Sequence, residues 1–250
     1  MQAYRRCPSS FQVVRIFLTV TALTVLAAWT ITNQVKAQTA ASGAQAQFRV
    51  GGVSVALPAP PGTGMVELGN DRNLFDKGVP GSNRLIAAFV LEKDVAALHN
   101  GSKETLTPYA MVEASRATET TDYSASGFKD VVDLVSTIQV GASVDSSFKE
   151  SDAEFNQKMK AMNLNVQVSQ GKRVMLGTFF YKTDAYASGE IAPVTVNGQA
   201  TAVVMSTVLL RARNRLLYAY FAEVYKDDQT PGKVRAASEQ WADAILAANQ

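Results

Sequence analysis

Four runs rich in Val, Thr and aromatic residues crowd the last third of the chain, and the turns between them leave few ways to arrange them. They are Val174 to Thr183, Gly189 to Thr195, Ala202 to Arg211 and Leu216 to Tyr225. Asn197-Gly198 joins the second to the third and Arg213-Asn214 the third to the fourth, and both pairs suit tight hairpin turns. Strands joined so closely run antiparallel. Thr230-Pro231 then opens a helix as cap and first-turn proline. Val234, Ala237, Trp241, Ala244, Ile245 and Ala248 form its buried stripe. An antiparallel sheet covered by helices is an α+β fold.

The chain upstream fits the same plan. Phe48-Arg49-Val50 and Val53 to Leu57 alternate on either side of Gly51-Gly52, which predicts a hairpin, and Pro58, Pro60 and Pro61 end it. Arg84 to Leu91 suits a buried strand. Glu92 to His99 reads as one or two helical turns, and Tyr109 to Glu119 as a further strand. Phe128, Val131, Val132, Val135 and Ile138 fall at helical spacing, with Gly141 as the stop. Phe148, Phe155, Met159 and Met162 suggest a second helix with Lys149, Glu150, Glu154 and Lys158 turned outward. With 250 residues, 47% of them apolar, the chain can bury a substantial core, and we expect one domain over 48–250.

The order of elements is itself informative. An extended segment ending in proline after GVSVALP (52–58) is followed by central helices. Then come GTFFY (177–181), a long hairpin, the aromatic strand LLYAYFAEVY (216–225) and a terminal helix with Trp241. This order resembles the Mog1/PsbP-like fold group, whose members include photosystem accessory subunits and exported bacterial proteins of unassigned role. The resemblance implies an α/β/α sandwich around an antiparallel sheet. It also implies an accessory or binding role more often than catalysis. Fold analogy alone carries no function, and no family site residue comes with it.

The first residues read as an address. Met1 to Arg15 carry Arg5, Arg6 and Arg15 without an acid, and the uncharged apolar run Ile16 to Thr32 follows. Val35 and Ala37 place small residues three before and immediately before a cut after Ala37, so 1–37 is expected to be a cleaved signal peptide. The alternative is an uncleaved helix that tethers the domain to the membrane. The polar, small-residue stretch 38–47 reads as a flexible leader. Cys7 precedes the apolar run and would leave with it, taking disulfides, thiolate catalysis and cysteine metal ligands away from the mature chain. The address also explains the charge. The whole chain has 24 basic and 22 acidic residues; losing Arg5, Arg6, Arg15 and Lys36 and no acid turns +2 into a formal −2. Nucleic-acid binding is not expected of such a domain.

Motifs for chemistry are weak. His99 is the single histidine, and Glu150, Asp152 and Glu154 lack the glycine and final acid of a calcium loop, so we expect no metal and no cofactor. Gly-x-Ser-x-Gly is absent. Ser146 to Lys149 matches Ser-x-x-Lys, but its supporting motifs are missing, since Asp184 follows Lys182-Thr183 where a penicillin-binding enzyme has glycine. Gly62-Thr63-Gly64 lacks the third glycine of a dinucleotide loop and opens no helix. Tyr218, Tyr220, Phe221 and Tyr225 read as core filling on alternate faces of a strand. Recognition is left to Arg211, Arg213 and Arg215 at the tip of the long hairpin, whose guanidinium forks suit a phosphate, a carboxylate or an acidic protein surface. The expectation is therefore a periplasmic or secreted, non-enzymatic accessory or binding module of the cell envelope, with an envelope protein or small ligand as partner. The alternatives are an envelope hydrolase whose site assembles only in three dimensions, and the membrane-tethered form.

Overall fold

The structure, a computed structural model, describes residues 46–99, 107–139, 153, 156, 157, 160, 168–196 and 198–250. The proposed address and nearly all of the leader lie outside them. So do Gly141 and the apolar stripe of the second central helix, of which Ala153, Asn156, Gln157 and Lys160 are described and helical.

Strands β1 (Gln47–Val50) and β2 (Val53–Ala56) form the expected hairpin, with Gly51 and Gly52 at φ 53° and 85°. Gly51 is needed twice over, since a Cβ there would sit 1.9 Å from the Glu119 carbonyl oxygen. The chain continues through β3 (Met65–Glu67), a 3-10 turn and α1 (Asn73–Gly78), then β4 (Asn83–Leu91), α2 (Glu92–His99), β5 (Tyr109–Ser115) and α3 (Ala125–Gln139). After β6 (Val168–Gln170) come β7 (Val174–Lys182), β8 (Ala185–Val196), β9 (Gln199–Ala212), β10 (Arg215–Val224) and α4 (Thr230–Ala248).

All but the first hairpin join one antiparallel sheet in the order β3-β4-β5-β10-β9-β8-β6, with β7 also against β8. The β8–β9–β10 succession is the one the turn residues dictate. The strand expected over Tyr109 to Glu119 stops at Ser115, because Thr118 and Glu119 donate their amides to the Ser115 carbonyl at 3.1 and 2.8 Å and the chain turns. Two register shifts interrupt β7 against β8, which bends this edge strand and blunts it against further pairing.

Period-two alternation sends the sheet's side chains to two cores. On one face Tyr109, Met111, Leu209, Tyr218 and Tyr220 pack with Phe75 of α1 and with Phe128, Val131, Val132 and Val135 of α3. On the other, Phe89, Val112, Val208, Leu217 and Phe221 meet Val234, Trp241 and Ile245 of α4 and Val50, Val55 and Leu57 of the hairpin. The fold is thus α+β, an antiparallel sheet with helices on both faces. Tyr218, Tyr220 and Phe221 are buried core residues, while Tyr225 is half-buried and donates to Asp228 at 2.7 Å.

The start of α4 corrects one expectation. Thr230 is the first helical residue and Asp227 acts as the side-chain acceptor. Its Oδ1 takes the Gln229 and Thr230 amides, each at 3.0 Å, and the Thr230 hydroxyl at 3.1 Å. The same hydroxyl accepts from the Lys226 and Asp227 amides, so it closes the turn before the helix. Ser238 and Ala242 are also buried on α4, and Ala237, Ala244 and Ala248 are half-buried.

At the other end of α4 the Asn249 carboxamide substitutes for a missing strand. It accepts from the Ala56 amide at 2.9 Å and donates to the Ala56 carbonyl at 2.8 Å, and also donates to the Ile245 carbonyl at 2.8 Å. Both backbone polar groups of the buried β2 residue Ala56 depend on it. Asn249→Ala is expected to cost about 1–3 kcal/mol, because the truncated site leaves them unpaired. Denaturant titration measures this.

Candidate functional site

The β9–β10 turn consists of Arg213 and Asn214, both in the left-handed region at φ 51° and 61°. Two positive φ values mark the type I′ geometry that matches strand twist, where Gly, Asn and Asp are favoured. Asn214 fits that rule. Arg213 does not: a long side chain with a Cβ is strained at this position by roughly 1 kcal/mol. Its guanidinium is exposed and has no hydrogen-bond or ion-pair partner among the described residues.

The two flanking arginines are built into the fold. Arg211 donates from Nε to Asp184 Oδ1 at 2.7 Å, brings Nη2 to the same oxygen at 2.6 Å and donates from Nη1 to Asn214 Oδ1 at 2.8 Å. It thereby ties the β7–β8 turn to the β9–β10 turn. Arg215, buried, donates from Nη1 to Asp122 Oδ1 at 2.8 Å and to the Thr120 carbonyl at 3.1 Å, and from Nη2 to the Gly51 carbonyl at 3.4 Å. It laces β10 to the segment after β5 and to the first hairpin. The three arginines suggested by the sequence therefore divide into two structural clamps and one guanidinium without a partner among the described residues. Arg215→Ala is expected to cost about 1–3 kcal/mol through the stranded carbonyls. Arg213→Ala should change stability by less than about 0.5 kcal/mol. Thermal unfolding of the two variants side by side checks the difference.

Beside the turn lies a cleft of about 400 Å³, lined among others by Lys182, Thr183, Asp184, Arg213, Leu246 and Asn249. Its other cations are already neutralised. Lys182 Nζ donates to both Asp243 carboxyl oxygens at 2.6 and 2.8 Å, lies 3.1 Å from Glu239 Oε1 and sits 5.5 Å from the Phe180 ring centre. Burial alone would lower the Lys182 pKa, but the hydrogen bonds to Asp243 and Glu239 and the negative charges of the two acids together outweigh it and hold the ammonium above the usual lysine range. Arg211 is matched by Asp184. An anion entering the cleft meets Arg213 as its uncommitted cation among the described residues.

The other sequence candidates do not gather here. His99 closes α2, while Ser146, Lys149, Glu150, Asp152 and Glu154 lie outside the described residues. Gly62 and Gly64, each at φ 70°, shape the loop into β3, where Thr63 Oγ1 donates to the Pro60 carbonyl and accepts from the Met65 amide. Among the described residues no group of three or more His, Cys, Asp or Glu side chains is placed to hold a metal ion. No described helix is long and apolar enough to cross a membrane.

Two buried acids escaped the sequence reading. Glu113 in the middle of β5 is completely enclosed, and Glu190 of β8 is buried against Arg173. Burial pushes the Glu190 carboxyl up even though the Arg173 charge and hydrogen bond pull it down. A signal was present in each case: one acid inside an otherwise strand-like run, YAMVEAS and GEIAPVT.

No family model and no curated protein matches the chain. Among solved structures it is similar to a point mutant of protein Mog1, with 12% identity and a TM-score of 0.34. It is also similar to the Ran-binding protein Mog1p of Saccharomyces cerevisiae, with 10% identity and a TM-score of 0.31. Each comparison covers 82% of this chain and 95% of the other. Likeness at these scores does not establish a shared fold, and the α+β assignment rests on the sheet and its two covering layers.

Proposed function

We propose that this chain is an exported, non-enzymatic binding module of the cell envelope, and that it holds an anionic partner at the tip of the β9–β10 hairpin. The observation that carries the binding part is Arg213. It is exposed at the mouth of a cleft, with no described partner, in a backbone conformation that a turn chosen for stability alone would give to glycine or asparagine. A single planar fork suits one carboxylate or phosphate group in bidentate fashion. Export is supported by the order of basic, apolar and small residues over 1–37.

Two experiments test the parts separately. A glutamate-rich peptide titrated into the isotopically labelled protein is expected to shift resonances of Lys182 to Asp184 and Arg213 to Asn214, leaving the outer face of α4 unchanged. Shifts scattered over the surface, or none, would remove the binding reading. Mass spectrometry of the protein from its native cells is expected to find Gln38 as the first residue. An intact Met1 end would replace the cleaved form with the tethered one and leave the hairpin question untouched.

A further inference from the structure

Glu113 occupies the sheet face that α1 and α3 cover, in register opposite Leu85 of β4 and Tyr218 of β10. One carboxyl oxygen, Oε2, accepts from Asn83 Nδ2 at 2.8 Å. The other, Oε1, has no hydrogen-bond partner among the described residues and no contact with solvent. Among the described residues its nearest polar neighbours are neutral: Asn83 on β4, and the phenols of Tyr218 and Tyr220 on β10, with Tyr123 near Tyr218; the charged groups on the same face are Glu190 of β8, beyond Tyr220, and the Arg173 that pairs with it. Arg116 donates its Nε to the Asn83 carbonyl instead of reaching the acid. On α3, Phe128, Val131, Val132 and Val135 face inward while Lys129, Asp130 and Asp133 are exposed; on α1, Phe75 is buried and Asp76 exposed.

A charge in this setting has one hydrogen bond and no counter-ion among the described residues, whereas a neutral carboxylic acid costs far less to bury there. Burial, only partly offset by the Asn83 hydrogen bond, pushes the Glu113 carboxyl up to about 7. We propose that Glu113 is a proton-operated latch for the α1/α3 layer: protonated, it lets the helices close on the sheet, and ionised, it favours their opening so that water can reach the carboxylate. The device is independent of the hairpin tip. Because the closed-state value lies above the ordinary carboxylate value, the closed layer is most stable below about pH 4.5 and loses stability as pH rises through about 7.

The test is native-state amide exchange of the full chain at pH 6 and pH 8, corrected for the intrinsic chemical rate. For α3 amides the opening equilibrium is expected to rise about tenfold between these pH values. The α4 amides, on the opposite face, should hold constant, and E113Q should be flat at both helices. Equal rises at α3 and α4 would overturn a local latch, and an undiminished α3 rise in E113Q would overturn the role of Glu113. Should E113Q fail to fold, the carbon resonance of the wild-type Glu113 carboxyl decides: a midpoint near 7 supports the latch and one near 4.5 refutes it.

Discussion

Trp241→Ala is expected to lower the unfolding free energy by about 3–5 kcal/mol, which makes α4 a principal point of failure in the fold. Trp241 is fully buried, stands edge-on to Phe89 of the sheet with ring centres 5.6 Å apart, and donates its indole N–H to the Pro58 carbonyl at 2.8 Å. One side chain thus joins the helix, the sheet and the segment leaving the first hairpin. Truncation removes its apolar area, leaves a cavity and strands a carbonyl. Trp241→Phe separates these contributions, because it keeps most of the ring and loses the hydrogen bond. It should cost roughly 1–3 kcal/mol. Denaturant unfolding measures both, and equal losses for the two variants would mean that the hydrogen bond outweighs packing.

Arg173→Ala is expected to cost a similar 3–5 kcal/mol, for an electrostatic reason. Arg173 donates to Glu190 and to Gln170 beside β8, and Glu190 is buried between Met175 and Met205 in register. Without the guanidinium the carboxyl has lost the charge that opposed its desolvation, and its pKa rises further. A raised folded-state value means that the variant keeps most stability at low pH and loses it as pH increases. Its deficit should therefore be larger at pH 8 than at pH 5. Replacing both partners, Arg173→Met with Glu190→Leu, is expected to recover much of the loss, since no buried charge is left alone. A double variant as unstable as the single one would show that the pair fixes geometry as well as charge.

The parts of this fold that were legible in the sequence are those fixed by local chemistry. Gly51-Gly52 and Arg213-Asn214 turn the chain where expected, and Pro231 lies in the first turn of α4. Alternation in Leu216 to Ala222 distributes its side chains correctly between two cores, because a strand's period of two is a property of its own backbone. What was hidden depends on distant pairing. Nothing local tells β10 to pair with β5, or ends β5 at Ser115. The arginines show the same limit at the site. Arg211, Arg213 and Arg215 look alike in sequence, but the acids that capture two of them, Asp184 and Asp122, lie 27 and 93 residues away. Only the assembled sheet leaves Arg213 uncommitted. Glu113 was invisible as a titrating group for a related reason: its raised pKa comes from burial by elements on both sides of β5.

The hairpin tip gives the central claim its sharpest test, because strain and binding pull Arg213 in opposite directions. Arg213→Asn places a residue suited to the left-handed region in the turn, and should raise stability by up to about 1 kcal/mol. The same substitution removes the free guanidinium, and should weaken binding of a glutamate-rich peptide at least about tenfold, the loss expected for one charge-assisted pair. Calorimetric titration of the wild type and Arg213→Asn, alongside their thermal unfolding, reads both quantities. A more stable variant that has lost the peptide is the predicted result; a variant that binds the peptide as tightly as the wild type would contradict the account.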